Sequence, residues 1–259
     1  MAKQVLEVEK LSHEHFDQIS SDYHQLEFWG NTKTKWIADR AVESLKIQDF
    51  QKVADLGGGC GDLLNEICLR KNVKAYCVDS SVNMQTVGKE KHCHNKSLEF
   101  VNLQMEDIQK IDLVVDAFIA TSTIHFIKEE KLQSFFETIY NKLSKSGKVL
   151  ILTRREKVPN LPLIATAQKL WCSTPTGTIE AALLNAGFKV TIEEKIYKHA
   201  LTKPAWYEHF TKRFISTINN DVISDEQIQK EIEELDQTLL KGKDLVEFDD
   251  ISIFIIGSK

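Results

Sequence analysis

The chain has 259 residues and a formal net charge of −5, with 42% hydrophobic and 27% charged residues, the proportions of an ordinary globular protein. The acidic balance argues against a nucleic-acid binder, which usually carries a basic face, although net charge leaves room for a local basic patch, and no apolar run approaches the ~20 residues that cross a bilayer. The N-terminal "MAKQVLEVEK" lacks an apolar signal core, and the odd set of five cysteines, at 60, 68, 77, 93 and 172, forms neither a metal-binding spacing nor a disulfide framework; the expectation is a cytoplasmic protein with reduced thiols.

In chain order, apolar runs alternate with helical periodicity, the pattern of a parallel sheet covered by helices. "VADLG" (53–57) predicts a first strand. Leu63, Leu64, Ile67 and Cys68 then fall on one helical face. "KAYCVD" (74–79), "LEFVNL" (98–103) and "AFIATS" (117–122) predict strands two to four. Leu132, Phe135, Phe136, Ile139, Tyr140 and Leu143 form one helical stripe, stopped by "KSG" before a fifth strand, "KVLILT" (148–153).

Residues 156–176 hold three of the four prolines and predict a loop with a helical piece over 164–171. "TIEAALLNAGF" predicts a helix ended by Gly187 at C′, and "KVTIEEKI" a sixth strand. Trp206, Phe210, Phe214 and Ile218, four apart, predict one helix over 205–218. "SDEQ" (224–227) has capping-box form ahead of Ile228, Ile232, Leu235 and Leu239. "ISIFIIG" is a last strand buried on both faces. No composition shift marks a domain boundary, so the prediction is one domain with an elaborated C-terminal third.

Between the first strand and the first helix lies Asp55-x-Gly57-x-Gly59-x-Gly61, with Gly58 inside it. A dinucleotide loop requires glycine where Asp62 or Cys60 stands, and a phosphate-binding Walker loop requires a lysine that is absent. Asp62 in the first helical turn disfavours a pyrophosphate and points to a ligand carrying positive charge. Asp79, ending the second strand, supplies a carboxylate able to accept from two vicinal hydroxyls. The "HCH" at 92–94 reads as surface, since adjacent side chains diverge.

These residues resemble the class I S-adenosylmethionine-dependent methyltransferases, small-molecule type. "VADLGGGCG" is similar to that family's first motif. Asp79 is similar to its ribose-binding acid, and Ser80, Ser81 and Met84 to the "D-x-S-x-x-M" that follows. The likeness covers roughly residues 16–155. It implies a seven-stranded, mostly parallel sheet in the order 3-2-1-4-5-7-6 with an antiparallel last strand, helices on both faces, and a helical cap over the substrate. It further implies S-adenosyl-L-methionine as cofactor, an N-terminal lid over about 11–46, and cap insertions at about 156–176 and 200–242. By the same likeness Tyr23 lies by the methionine carboxylate, and Thr121 and Ser122 line the methionine end. Gln104 and Met105 stand where the family has an Asp-Ala pair at the adenine, with Glu106 and the rival Asp107 beside them.

Transfer of a methyl group from a sulfonium releases a neutral leaving group, so alignment and desolvation carry much of the catalysis. A base is needed only where the acceptor must lose a proton; His125, just past strand four, is the candidate, against a packing or capping role. Phe28, Trp29, Arg154, Trp171, Trp206, Tyr207 and Arg213 are candidate substrate contacts beneath the lid and cap, arginine for a carboxylate and the rings for an amine. Trp206 also sits on an apolar stripe, and Arg213 lies off it, where a solvated side chain is expected. The expected partner is a small-molecule substrate, with no nucleic acid and no membrane, and the expected state a monomer or homodimer. The alternatives are an oxidoreductase on a related nucleotide fold and a non-catalytic relative acting through a partner.

Overall fold

The computed structural model describes residues 15–20, 31–171 and 173–259. Its centre is a seven-stranded sheet. β1 (Lys52–Leu56), β2 (Lys74–Asp79), β3 (Leu98–Asn102) and β4 (Val115–Thr121) pair in parallel, with Asp55 beside Cys77 on one side and Ile119 on the other. β5 (Leu143–Thr153) runs parallel to β4, and β7 (Leu245–Ser258) lies antiparallel between β5 and β6 (Lys189–Thr202). The order 3-2-1-4-5-7-6 is the expected one.

Helices cover both faces. α1 (Asn31–Leu45) and α2 (Asp62–Arg70) bury Ile37, Ala41, Leu64 and Ile67 against Val53, Ala75 and Leu150. On the other face, α4 (Leu132–Lys142) packs Leu132, Phe135, Phe136 and Ile139 against Phe118, Val149 and Ile255; each such side chain contributes about 1.5–3 kcal/mol through burial. α3 (Val82–Lys91) joins β2 to β3, and α6 (Thr176–Asn185) precedes β6, with Gly187 at φ +98° as the expected left-handed stop. β5 begins directly at Leu143, and the "LSKSG" run is absorbed as a register shift against β4 between Val115 and Ala117.

The C-terminal third departs further from expectation. β6 and β7 are each 14 residues long, but β5 pairs only with residues 253–258 of β7. The outer half of the β6–β7 ribbon therefore projects past the sheet. It carries a third core, in which Leu201, Val246 and Phe248 meet Trp206, Phe210, Ile228 and Ile232 together with Leu161, Leu163 and Ile164. These come from α7 (Lys203–Thr211), α8 (Asp225–Gln237) and the segment leading into α5 (Ala165–Leu170).

The single helix expected over 205–218 is broken. α7 stops at Thr211, Arg213 takes φ +54°, Phe214 is buried edge-on against His209, and Ile218 reaches the same core from a 3₁₀ segment. α8 is capped as its sequence predicts, Ser224 Oγ accepting from Gln227 N at 3.2 Å. It ends at Gln237, so Leu239 is exposed and Leu240 takes the buried place. No helix among the described residues is long and apolar enough to cross a membrane.

Candidate active site

The carboxyl ends of β1, β2 and β4 meet at one crevice, where ligands of open α/β sheets bind. Leaving β1, the chain places Gly57, Gly59 and Gly61 at φ +72°, +55° and +76°, the left-handed region that side chains other than glycine enter at a cost. A Cβ on Gly58 would lie 2.7 Å from Cys77 Sγ, whereas one on Gly59 would meet nothing within 4 Å. Gly58 is bare because protein packs on it; Gly59 is bare toward open space.

Asp79 ties this loop to β2. Its Oδ2 accepts from Gly59 N and its Oδ1 from Ser81 N, both at 2.8 Å. These two backbone donors orient the Asp79 carboxyl at the end of β2. Ser80 follows in the same turn, and Ser81 Oγ caps α3 by accepting from Met84 N at 3.1 Å. The Met84 thioether packs on Cys60 Sγ at 3.5 Å.

Asp55, at the end of β1, is 2% exposed. Among the described residues its Oδ1 has no hydrogen-bond partner, and the same holds for Thr121 Oγ1 and Ser122 Oγ at the end of β4. Buried polar atoms are nearly always paired in folded proteins, so three orphaned oxygens at one mouth mark where a polar ligand fits. Ser122 also holds φ +56°, a strained position for serine. Burial and the neighbouring Asp79 push the Asp55 carboxyl up to about 8.

Asp62 corrects the sequence reading. Its carboxylate turns away from the crevice to Lys91 Nζ at 2.8 Å and His92 Nε2 at 2.7 Å. Burial acts to raise its pKa, but these hydrogen bonds outweigh that and hold it low. His92 is thus a hydrogen-bond partner of Asp62 rather than a plain surface residue.

Beyond β3, Gln104 is exposed and precedes a 3₁₀ turn, Met105–Lys110, with Met105 against the core. Glu106 and Asp107 bond Lys131 (3.1 Å) and Lys110 (2.7 Å). Thr123, which sequence reasoning passed over, donates from Oγ1 to Leu56 O at 3.0 Å and lies against Gly57.

His125 is half-buried and stacks at a tilt on Phe126, with ring centroids 4.1 Å apart. Burial and the Arg154 guanidinium bring its pKa down to about 4. Arg154 is not turned outward for a ligand. Its Nε and Nη2 hold both oxygens of Asp250 at 2.8 Å, and it lies 5.9 Å from the Trp171 ring centroid. Lys33 of α1 also pairs with Asp250, and His199 Nε2 lies 3.4 Å from it. One buried carboxylate on the projecting ribbon therefore gathers α1, β5 and β6.

In the cap, Trp206 is 1% exposed and donates to Pro162 O at 2.8 Å. Tyr207 donates to Asp236 at 2.8 Å. Arg213, expected to be solvated, is buried: it bonds Ile218 O at 2.9 Å and Asp225 at 2.6 Å, closing the turn after α7. Trp171 Nε1 donates to Arg155 O at 3.2 Å. Tyr23, Phe28 and Trp29 lie outside the described residues. The helical residues 15–20 cross toward the site: Asp17 accepts from Ser81 Oγ, its carbonyl accepts from Asn83 Nδ2 at 3.3 Å, and Phe16 meets Phe126 edge-on at 6.0 Å.

Missed by sequence reasoning were Asp17, Lys33, His199 and Asp250. Asp250 had a readable signal: Val246, Phe248, Asp250 and Ser252 alternate on the buried face of β7, and a carboxylate at a core position requires cations.

The sheet order, the glycine loop beneath open space and the acid ending β2 define a class I S-adenosylmethionine-dependent methyltransferase. Within that class, the chain belongs to the mycolic acid cyclopropane synthetase family, whose profile matches residues 30–235. It is 29% identical over 132 residues to a carboxy-S-adenosyl-L-methionine synthase of Campylobacter jejuni subsp. jejuni (strain 81-176), covering 50% of this chain and 51% of that one. The match thus spans about half the length of this relative. Among solved structures, the cyclopropane synthase MmaA2 of Mycobacterium tuberculosis superposes with a TM-score of 0.57 at 16% identity, over 86% of this chain and 83% of that one. The phosphoethanolamine N-methyltransferase 2 of Haemonchus contortus, in complex with phosphomonomethylethanolamine and S-adenosylhomocysteine, gives a TM-score of 0.60 at 17% identity, over 96% and 60%. At these identities the structural likeness is one of fold.

Proposed function

We propose that the protein binds S-adenosyl-L-methionine and moves its methyl group to a nitrogen or oxygen of a small molecule. The observation that carries this is the left-handed glycine loop with open space at Gly59, set between Asp79 and the orphaned oxygens of Asp55, Thr121 and Ser122. Along the strand order, Asp79 takes the ribose hydroxyls, Asp55, Thr121 and Ser122 take the methionine end, and Gln104 and Met105 border the adenine. Bound there, the cofactor supplies an electrophilic methyl on a sulfonium whose departure needs no acid.

The chain's own residues align the acceptor and exclude water. His125 is unprotonated at neutral pH, the form in which it can accept a hydrogen bond or proton from the acceptor. A group of pKa about 4 holds a proton only weakly, so orientation by His125, Trp171 and the lid carries more of the rate than base strength. Arg154 acts through Asp250, fixing the ribbon that carries the cap, and its charge adds to burial in keeping His125 neutral. Trp206, Tyr207 and Arg213 build the cap wall.

Calorimetry with S-adenosylhomocysteine, with NAD as control, tests the cofactor. Micromolar binding of the first and none of the second supports the proposal; NAD binding alone overturns it in favour of an oxidoreductase. A methyl-transfer screen of amines, acids and phenols then identifies the acceptor class.

A further inference from the structure

Asp55 is a buried acid that methyl transfer itself does not use. No ion pair or hydrogen bond among the described residues reaches its carboxyl, and Oδ1 is orphaned. Two groups of β2 act on it or are acted on by it: Asp79, whose oxygens accept from the Gly59 and Ser81 amides, and the Cys77 thiol, itself pushed well above its usual range by burial and by Asp55. From β4 the paired residue is the uncharged Ile119. The one acid of the following helical turn, Asp62, is engaged by Lys91 and His92. A carboxyl buried this deeply, with no ion pair among the described residues and a second carboxyl at the end of the neighbouring strand, is held in its neutral form.

Resting on the cofactor assignment above, we infer that Asp55 is a neutral carboxylic acid in the empty site and surrenders its proton when the ammonium group of the cofactor's methionine end arrives beside it, so that cofactor binding is coupled to release of a proton. The step balances: the Asp55 O–H bond breaks, the proton leaves to solvent, and the ammonium replaces it as the positive charge beside Asp79. The position follows from strand order. A ligand with its ribose on Asp79 of β2 extends its next portion over the end of β1, where Asp55 stands, and on to Thr121 and Ser122 of β4. A carboxyl pushed up to about 8 is protonated throughout the neutral range, so the exchange is required at working pH.

The test is titration calorimetry of the whole chain with S-adenosylhomocysteine in buffers of different ionisation enthalpy. Between pH 6 and 7 the buffer dependence should report release of about one proton per ligand bound, and affinity should rise about tenfold per pH unit. Adenosine, which lacks the ammonium, should bind with no proton release. Asp55→Asn should bind S-adenosylhomocysteine with pH-independent affinity and buffer-independent heat. Binding to the unaltered protein with buffer-independent heat, or unchanged proton release in Asp55→Asn, overturns this inference and leaves the cofactor assignment standing. Failure to bind S-adenosylhomocysteine at any pH overturns both.

Discussion

Gly59→Ala separates a structural glycine from a ligand-facing one. Gly59 sits at φ +55°, and a Cβ there meets nothing within 4 Å. Holding alanine in the left-handed region costs about 1–2 kcal/mol. For 259 residues the unfolding entropy is about 0.5 kcal/mol/K, so the midpoint should fall by only about 2–4 °C. Gly58→Ala is the contrast: its Cβ would lie 2.7 Å from Cys77 Sγ and 3.3 Å from Asp55 Cβ, a clash inside the fold that costs about 1–3 kcal/mol. If the open side of Gly59 receives the cofactor, Gly59→Ala should lose at least about tenfold in S-adenosylhomocysteine affinity, or about 1.4 kcal/mol. Thermal unfolding followed by calorimetry reads both quantities. A folded Gly59→Ala protein that binds within about twofold of the parent places the ligand elsewhere and refutes the role given to the loop.

Asp79→Asn keeps the size of the side chain but weakens charge-assisted bonds worth about 1.5–3 kcal/mol each, and should reduce S-adenosylhomocysteine affinity by about ten- to a hundredfold in a protein with an unchanged circular dichroism spectrum. His125→Ala should slow turnover of the identified acceptor while leaving S-adenosylhomocysteine affinity unchanged, and the parent's rate should show no inflection near pH 6.5, because the imidazole titrates at about 4. Asp55→Asn should raise the unfolding midpoint of the ligand-free protein at pH 8–9 and have no such effect near pH 4. The sign follows from a folded pKa of about 8 against 3.8 unfolded: the stability this carboxyl contributes is full below the unfolded value and is lost as pH rises through the folded one. Asp250→Asn should destabilise by about 3–5 kcal/mol, since it removes the buried charge with which Arg154 and Lys33 pair, a loss readable in denaturant titration.

The sheet was legible because local pattern and global fold agree. The apolar runs of β1, β2 and β4 are short, bounded and buried on both faces, so they have no other place to go, and the glycine loop announces its conformation through residues that side chains would obstruct. The C-terminal third was less legible for a physical reason. Trp206, Phe210, Phe214 and Ile218 keep a helical spacing that the chain does not follow, because Arg213 bonds Ile218 O and Asp225 more favourably across a turn than a continued helix allows. Arg154 and Arg213 looked like ligand contacts because sequence shows a charge without its partner; Asp250 lies 96 positions from Arg154.

The same cluster explains why the sheet alone does not name a substrate. One fold carries a cyclopropane synthase and an N-methyltransferase among its solved relatives, so chemistry is set by what stands over the crevice. Two segments pack beside it. The N-terminal residues 15–20 fasten to Ser81, Asn83 and Phe126, directly above the Asp79 turn. The cap is fastened through the β6–β7 ribbon, and Asp250 on that ribbon takes up Arg154 from the end of β5 and Lys33 from α1. Lys33 belongs to the helix that leads from the N-terminal segment into the sheet. The helix that follows the N-terminal segment and the β6–β7 ribbon therefore share one buried carboxylate, joined by charge pairs that lie far apart in sequence. On the function proposed above, substitution of Trp171 should change which acceptor is methylated while S-adenosylhomocysteine affinity stays within about twofold of the parent, and a loss of that affinity in a folded Trp171→Ala protein would place Trp171 at the cofactor instead.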